Sequence, residues 1–465
     1  MTIDLRVRET ITTDFRIPLA RRLRPLLGHE ILNVGPATPA VSLGRRDPIR
    51  RTTGSENSGA QRKSRLSQAT LKNARMAFFN NLFRALGVVS GVALLLGGCG
   101  LFDGGDLKPG DPAPLIEFTP TLKVERIWRT SAGSGVGKAG LRIAPVYSGG
   151  RLFIADRSGR ISIIDAETGR VAHRFSTELE ISATLGVFEN VILAGTLEGE
   201  LFALDAESGA VNWRAPVSSE VLARPLLHDG VVIVRCVDGR VFGFDAADGT
   251  RLWLYDHSVP LLTLRGNGDP LARGGLVFIG YDGGEVIALR AQDGAVAWEQ
   301  AVSNREGRTE LDRLSDIDGS MAMVATDLYV STVRGRLAAL AVEQGRMLWV
   351  KDVGTALGVD VSRTRLTLSD TSDQVWLIDR RNAATLWKRD GLENRVLTRP
   401  SFYGDYVAVG DMQGFLHWLD AETGEFVARI KIGAPLFVPP LVVGTTLYQI
   451  DAAGNLSAFR AGAAI

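Results

Sequence analysis

VILAGTLEGELFALDAESGAVNWRA, residues 191–215, decides the fold. It holds two short runs rich in branched and apolar residues, split by a turn containing Gly199. A D-A-x-x-G turn, Asp205 to Gly209, then leads to a third run that carries Trp213. Runs of this length and composition, bounded by glycine turns, are strand and hairpin signals. Glycine at such a turn takes positive φ without the steric penalty that a branched residue would meet.

The same pattern recurs on either side. RLFIADRSGRISIIDAETGRVAHRF (151–175) precedes it, and VVIVRCVDGRVFGFDAADGTRLWLY (231–255) and LVFIGYDGGEVIALRAQDGAVAWEQ (276–300) follow. Three further copies cover 328–351, 365–389 and 406–430, and a truncated one, LYQIDAAGNLSAFRAG, occupies 447–462. A fourth apolar run lies ahead of each copy, as in LARPLLHDG (222–230). The turn position is Gly169, Gly209, Gly249, Gly294, Gly345, Ala383 and Gly424, at spacings of 40, 40, 45, 51, 38 and 41. Four strands per unit at a period near 40 specify blades of a β-propeller. The 3.6-residue period of a helical solenoid is absent from this region.

Four residues after each turn position stand Trp213, Trp253, Trp298, Trp349 and Trp387, with His173 and Ala428 in the first and seventh units. An indole there can cover apolar area between blades while its N–H finds a carbonyl. This repeat resembles the tryptophan-docking unit of pyrroloquinoline-quinone-type propellers over roughly residues 119–465. The final copy stops before its outer strand, whereas LKVERIWRTSA (122–132) is an orphan outer strand with Trp128 at the repeat position. Pairing the two ends would complete an eighth blade and remove both free sheet edges. The expectation is an all-β, eight-bladed propeller closed by its terminal strands.

Composition bounds what such a ring could do. The chain of 465 residues is 45% hydrophobic and 23% charged, with a formal net charge of +1. That sum hides an asymmetry. Residues 1–75 carry 15 Lys and Arg against 6 Asp and Glu, whereas 99–465 carry 37 against 46. An acidic body lacks the basic footprint that phosphate contacts require, so nucleic acid is not an expected partner.

MAFFNNLFRALGVVSGVALLLGGC (76–99) reads as an export signal. Its apolar run, Ala85 to Leu96, is too short for a comfortable membrane span but suits a signal-peptide core. Leu96-Gly97-Gly98-Cys99 resembles the bacterial lipobox, which implies a lipidated Cys99 as the mature N-terminus. Gly100, in place of Asp, implies the outer membrane by the same resemblance. Residues 1–75 then read as a disordered extension or a mis-assigned start, 76–98 as the signal peptide, 99–118 as lipid anchor and tether, and 119–465 as the propeller.

The candidate chemistry is thin. Cys236 sits alone in a strand-like VVIVRCVDG and reads as an inert core thiol. His173, His228, His257 and His417 fall in separate units without metal-ligand spacing. Gly133 to Lys138 imitates a phosphate loop without its first glycine or its following helix, and Asp316-Ile317-Asp318-Gly319 imitates the start of a calcium loop without the distal Glu. No catalytic residue, metal site or cofactor is expected. A quinone-binding enzyme remains the alternative, because quinoprotein dehydrogenases share the repeat.

The two long spacings mark insertions, and insertions in a repeat array map to loops that commonly carry binding. The first contains Leu262, Leu264, Arg265 and Asp269; the second contains Arg308, Glu310, Asp312, Arg313, Asp316 and Asp318. Both follow an outer strand and precede the next inner strand, which places them side by side on one face. Exposed leucines rimmed by charge suit a protein interface, and a bracing pair between Arg265 and Asp316 or Asp318 is the plainer reading. Separation of the Leu264 and Asp316 segments, or burial of both residues, would count against docking.

LTLRGNGDP (262–270) and TELDRLSDID (309–318), within a lipobox-anchored propeller, resemble the BamB family of propeller lipoproteins in the outer-membrane β-barrel assembly machinery. That resemblance, over residues 76–465, implies a non-catalytic scaffold on the periplasmic side of the outer membrane. It implies that Leu262, Leu264, Arg265, Asp316 and Asp318 contact a POTRA domain of the barrel subunit. Nascent outer-membrane proteins, received by β-augmentation at blade edges, are a second expected class of partner. The scaffold of another envelope complex is a further alternative.

Overall fold

The computed structural model describes residues 110–135, 141–260, 262–264, 266, 268–303, 315–333 and 335–464. The signal peptide, Cys99 and residues 99–109 of the expected tether lie outside them, as do residues 1–75. Thirty-two strands form eight antiparallel sheets of four. In chain order the blades run Val146–Ser176, Gly186–Phe188 through Val211–Pro216, Leu226–Tyr255, Leu271–Ala301, Ala322–Lys351, Asp360–Arg389, Ser401–Lys431, and an eighth built from both ends of the chain.

The eighth blade closes as the sequence predicts. Strand β1 (Leu122–Ser131) lies antiparallel to β32 (Asn455–Ala464), with Trp128 opposite Ala458 and Ser131 opposite Asn455. In its sheet β1 is outermost, filling the place of the missing last strand.

The core repeats like the sequence. Apolar side chains on the faces of each sheet gather into eight clusters, each drawn from two successive blades. The cluster of Phe153, Ile163, Ile192 and Leu204 joins the first blade to the second. That of Leu152, Ile164, Tyr448 and Leu456 joins the eighth back to the first. Eight interfaces among eight blades make a ring with no uncovered sheet face. The indoles lie across these seams. Trp213 is 8% exposed and donates from Nε1 to Ala246 O at 3.0 Å, over the turn of the next blade. A Cβ on Gly249 would stand 2.5 Å from that ring, so glycine is required there for close approach as well as for its φ of 74°. Trp128, Trp253, Trp298, Trp349 and Trp387 dock alike on Ala166, Ala291, Val342, Arg380 and Ala421.

Three seams depart from this pattern, one of them at Ala428, which holds the tryptophan position opposite Trp418 in the seventh blade. His173 holds the tryptophan register opposite Ile163 but is exposed, and Phe175, two residues on, covers Gly209 instead. Ala383 takes φ 61° where the other units place glycine. The chain also reaches the ring before residue 119. Ala113 N–H donates to Glu393 O at 2.8 Å, Arg395 Nη1 donates to Ala113 O at 2.9 Å, and Phe118 stacks on Phe426 at 5.9 Å. Residues 113–118 are therefore part of the folded body, attached to the sixth and seventh blades.

Candidate functional site

The two insertions connect β13 (Arg251–Tyr255) to β14 (Leu271–Arg273), and β17 (Val296–Ala301) to β18 (Ala322–Val324). They meet. Leu264 N–H donates to Asp316 Oδ2 at 2.5 Å. A Cβ on Gly266 would lie 3.5 Å from Asp318 Cγ, and one on Gly268 would lie 3.0 Å from Gly319 O. The absence of a side chain at Gly268 lets the first loop lie close against the backbone of the second, whereas Gly266 stands at ordinary contact distance from the Asp318 side chain. Of the predicted residues, the structure thus brings Leu262, Leu264, Asp316 and Asp318 into one neighbourhood. Arg265 and residues 304–314, with Arg308, Glu310, Asp312 and Arg313, lie outside the described residues.

Exposure differs from the sequence reading. Leu264 is only 8% exposed and Asp316 is fully buried, whereas Leu262 is half-buried. The reason is electrostatic and local. A backbone N–H in a loop pressed onto a sheet needs an acceptor, and the Asp316 carboxyl supplies one from below. Neither Leu264 nor Asp316 therefore serves as an exposed contact, and the burial of both counts against docking through these two residues.

A charged network lies beneath this contact. Arg235, fully buried on the third blade, pairs with Asp282 of the fourth at 2.8 Å and lies 5.1 Å from the Tyr281 ring centre. Asp316 packs near this pair. Burial raises its carboxyl to about 7, with Leu264 N–H opposing the shift. Asp318 is raised further above the ordinary carboxylate range, first by burial and then by Asp316 and Asp282. Burial shifts both carboxyls toward the protonated, neutral form, which weakens them as anions offered to a partner. Asp316 Oδ1 and Asp318 Oδ1 are buried without hydrogen-bond partners.

Asp318 has a second environment that sequence reasoning missed. It lines a cavity of about 340 Å³ to which residues preceding every inner strand contribute, from Arg142 and Thr184 to Arg399 and Pro440. The repeat itself carried the signal, because the segment before each innermost strand must face the centre of a closed ring.

The remaining candidates stay structural. Cys236 is buried, and burial pushes its thiol up to about 11, far from a reactive thiolate. His417 accepts no solvent: its Nε2 lies 3.0 Å from Asp411 Oδ2, and burial lowers its pKa. The phosphate-loop imitation is a loop in which Ser134 N–H and Oγ both bind Asp156 Oδ2.

A closed ring of tryptophan-docked blades, with two neighbouring insertions held from beneath by buried carboxyls, defines a propeller scaffold of the quinoprotein-repeat type. The chain belongs to the family of outer membrane protein assembly factor BamB, whose model matches residues 173–389 and 383–464. It is 43% identical to the BamB of Pseudomonas aeruginosa over 369 residues, covering 79% of this chain and 96% of the relative. The BamB of Xanthomonas campestris is 36% identical over 398 residues, covering 82% and 98%. Among solved structures, BamB from Moraxella catarrhalis superposes with a TM-score of 0.67 at 28% identity, covering 73% of this chain and all of that one. Quinohemoprotein alcohol dehydrogenase from Comamonas testosteroni, at 13% identity and a TM-score of 0.58 over 72% of this chain and 76% of that one, shares the fold alone.

Proposed function

We propose that the chain is a non-catalytic scaffold lipoprotein of the outer-membrane β-barrel assembly complex. It is anchored by lipid on Cys99, faces the periplasm, and binds the POTRA region of the barrel subunit. The observation that carries this reading is the meeting of the two insertions, Leu264 on Asp316, within a member of the assembly-factor family. In this reading Leu262 and Arg265 touch the partner. Leu264, Asp316 and Asp318 hold that loop in place, so that little ordering cost remains at binding. Outer-membrane client proteins are a second class of partner, at the blade edges.

The test is affinity capture from membranes with wild-type chain and with Arg265→Glu. Wild type recovers the barrel subunit; R265E loses it while its unfolding temperature stays unchanged. Equal recovery by R265E, or recovery of a different envelope complex by wild type, overturns the reading.

A further inference from the structure

We infer that the cavity at the centre of the ring is a binding site for a small carboxylate with a short apolar tail, held by the Arg142 guanidinium. This goes beyond the scaffold reading and does not depend on it.

Three arginines and three aspartates line the cavity, and they are unevenly matched. Arg224 lies 3.9 Å from Asp269, whose other oxygen accepts from Arg224 N–H at 2.8 Å. Arg399 lies 3.4 Å from Asp360, which also accepts from Phe402 N–H at 2.8 Å. Arg142 and Asp318 remain, each in the other's electrostatic field. Among the described residues Arg142 makes no ion pair, although its backbone is fixed in place. Thr184 Oγ1 donates to Arg142 O at 3.2 Å and accepts from Ala144 N–H at 3.0 Å. A guanidinium that faces the cavity with no ion pair among the described residues, its one opposing carboxyl Asp318 pushed toward the neutral form by burial, is suited to grip a carboxylate through two parallel N–H bonds.

Two more groups point to the same ligand. Among the described residues Arg399 Nε is buried without an acceptor, and Asp318 Oδ1 is buried without a hydrogen-bond partner. Buried polar atoms in a folded protein are ordinarily satisfied, so orphans beside a cavity mark what its occupant should supply. An incoming carboxylate gives Arg399 Nε its acceptor. Burial favours the protonated Asp318, which then donates to the ligand instead of neutralising Arg142. Leu222, Leu271, Met321 and Phe437 also line the wall, beside Thr184 and Ser320. Convergent polar groups beside apolar side chains in a cavity of this size suit a small molecule with a charged end and a short apolar tail. The carboxylate can belong to a free aliphatic acid or to the end of a polypeptide.

The test is calorimetric titration of the full chain at constant ionic strength. Its probes are butyrate and trialanine with a free carboxylate, each against its amide. At least one carboxylate binds with one site per chain and neither amide does. Butyrate alone identifies a free acid, and trialanine alone identifies a chain end. Arg142→Gln weakens binding at least tenfold with an unchanged unfolding temperature. Should R142Q not fold, Arg142→Lys keeps the cation without the paired donors and weakens binding to a smaller degree. Silence from both carboxylates, equal binding of the amides, or unchanged affinity in the folded variant overturns the site.

Discussion

Asp316→Leu is the substitution that separates a carboxyl acting as a support from one acting as a contact. Its Oδ2 is the acceptor for Leu264 N–H at 2.5 Å, in a segment with 8% exposure at Leu264. Leucine keeps the branch at Cγ but is larger and has no acceptor, so the N–H is left buried and unsatisfied, at a cost of about 1–3 kcal/mol before any overpacking. The raised carboxyl limits the opposing gain from removing a buried charge, because below about pH 7 little charge is present to remove. If the bound loop must be in its observed position, the same energy reappears in affinity. At about 1.4 kcal/mol per decade, that is a loss of about 5- to 150-fold for the barrel subunit's periplasmic region. Asp316→Asn keeps an oxygen at the same place and should bind within about twofold of wild type. Titration calorimetry of both variants, with urea unfolding of each, gives the answer. Wild-type affinity and stability in D316L would refute the supporting role, and equal losses in D316N and D316L would show that the charge itself is what matters.

Other expectations concern the ring. Trp253→Ala removes an 8%-exposed indole and its 2.9 Å bond to Ala291 O, and should cost about 3–5 kcal/mol in urea unfolding. A loss under about 1 kcal/mol would show that the seam does not depend on indole docking. Deleting residues 119–130 removes most of β1 and should destabilise the whole ring, by more than any single tryptophan; an unchanged melting temperature would sink the closure argument. The pH dependence follows from Asp316, whose carboxyl rises from 3.8 to about 7 on folding. The folded chain then holds a proton that the unfolded chain has lost. This contribution is complete below about pH 4 and disappears as pH rises through 7. Stability of D316N relative to wild type should therefore increase across that window, and a flat difference would contradict the burial argument.

Fold was legible because each blade repeats one local rule. The glycine of a D-A-x-x-G turn leaves room for the indole of the preceding blade, as Gly249 does for Trp213, so turn and tryptophan had to recur at one spacing. Closure was legible from Trp128, an outer-strand signature with no strands before it. Phe175 was not legible. A reader aligning the repeat places His173 on the seam, whereas an aromatic two residues along the strand faces the same way and fills the space better. The two insertions were legible in place and not in depth. The spacings of 45 and 51 located both insertions. Nothing in LTLRGNGDP or SDID tells whether Asp316 points toward water or toward Leu264 N–H, because that choice belongs to the packing of one loop on another.

The two aspartates of the second insertion then divide the work of the structure between two places. Asp316 turns toward the first loop and fixes Leu264; Asp318, two residues on, lines the central cavity while still touching the Gly266 region. Two steps along an extended chain return a side chain to the same face only in regular pairing. Here Ile317 is anchored between blades, its N–H donating to Tyr281 O at 3.2 Å, which leaves the flanking carboxyls to opposite tasks. Both carboxyls are raised by burial, and Asp316 adds to the cost of ionising Asp318, so a change at Asp316 is felt at the cavity wall. The second insertion therefore ties the first loop and the wall of the central cavity to the same buried acids, packed on the fourth and fifth blades.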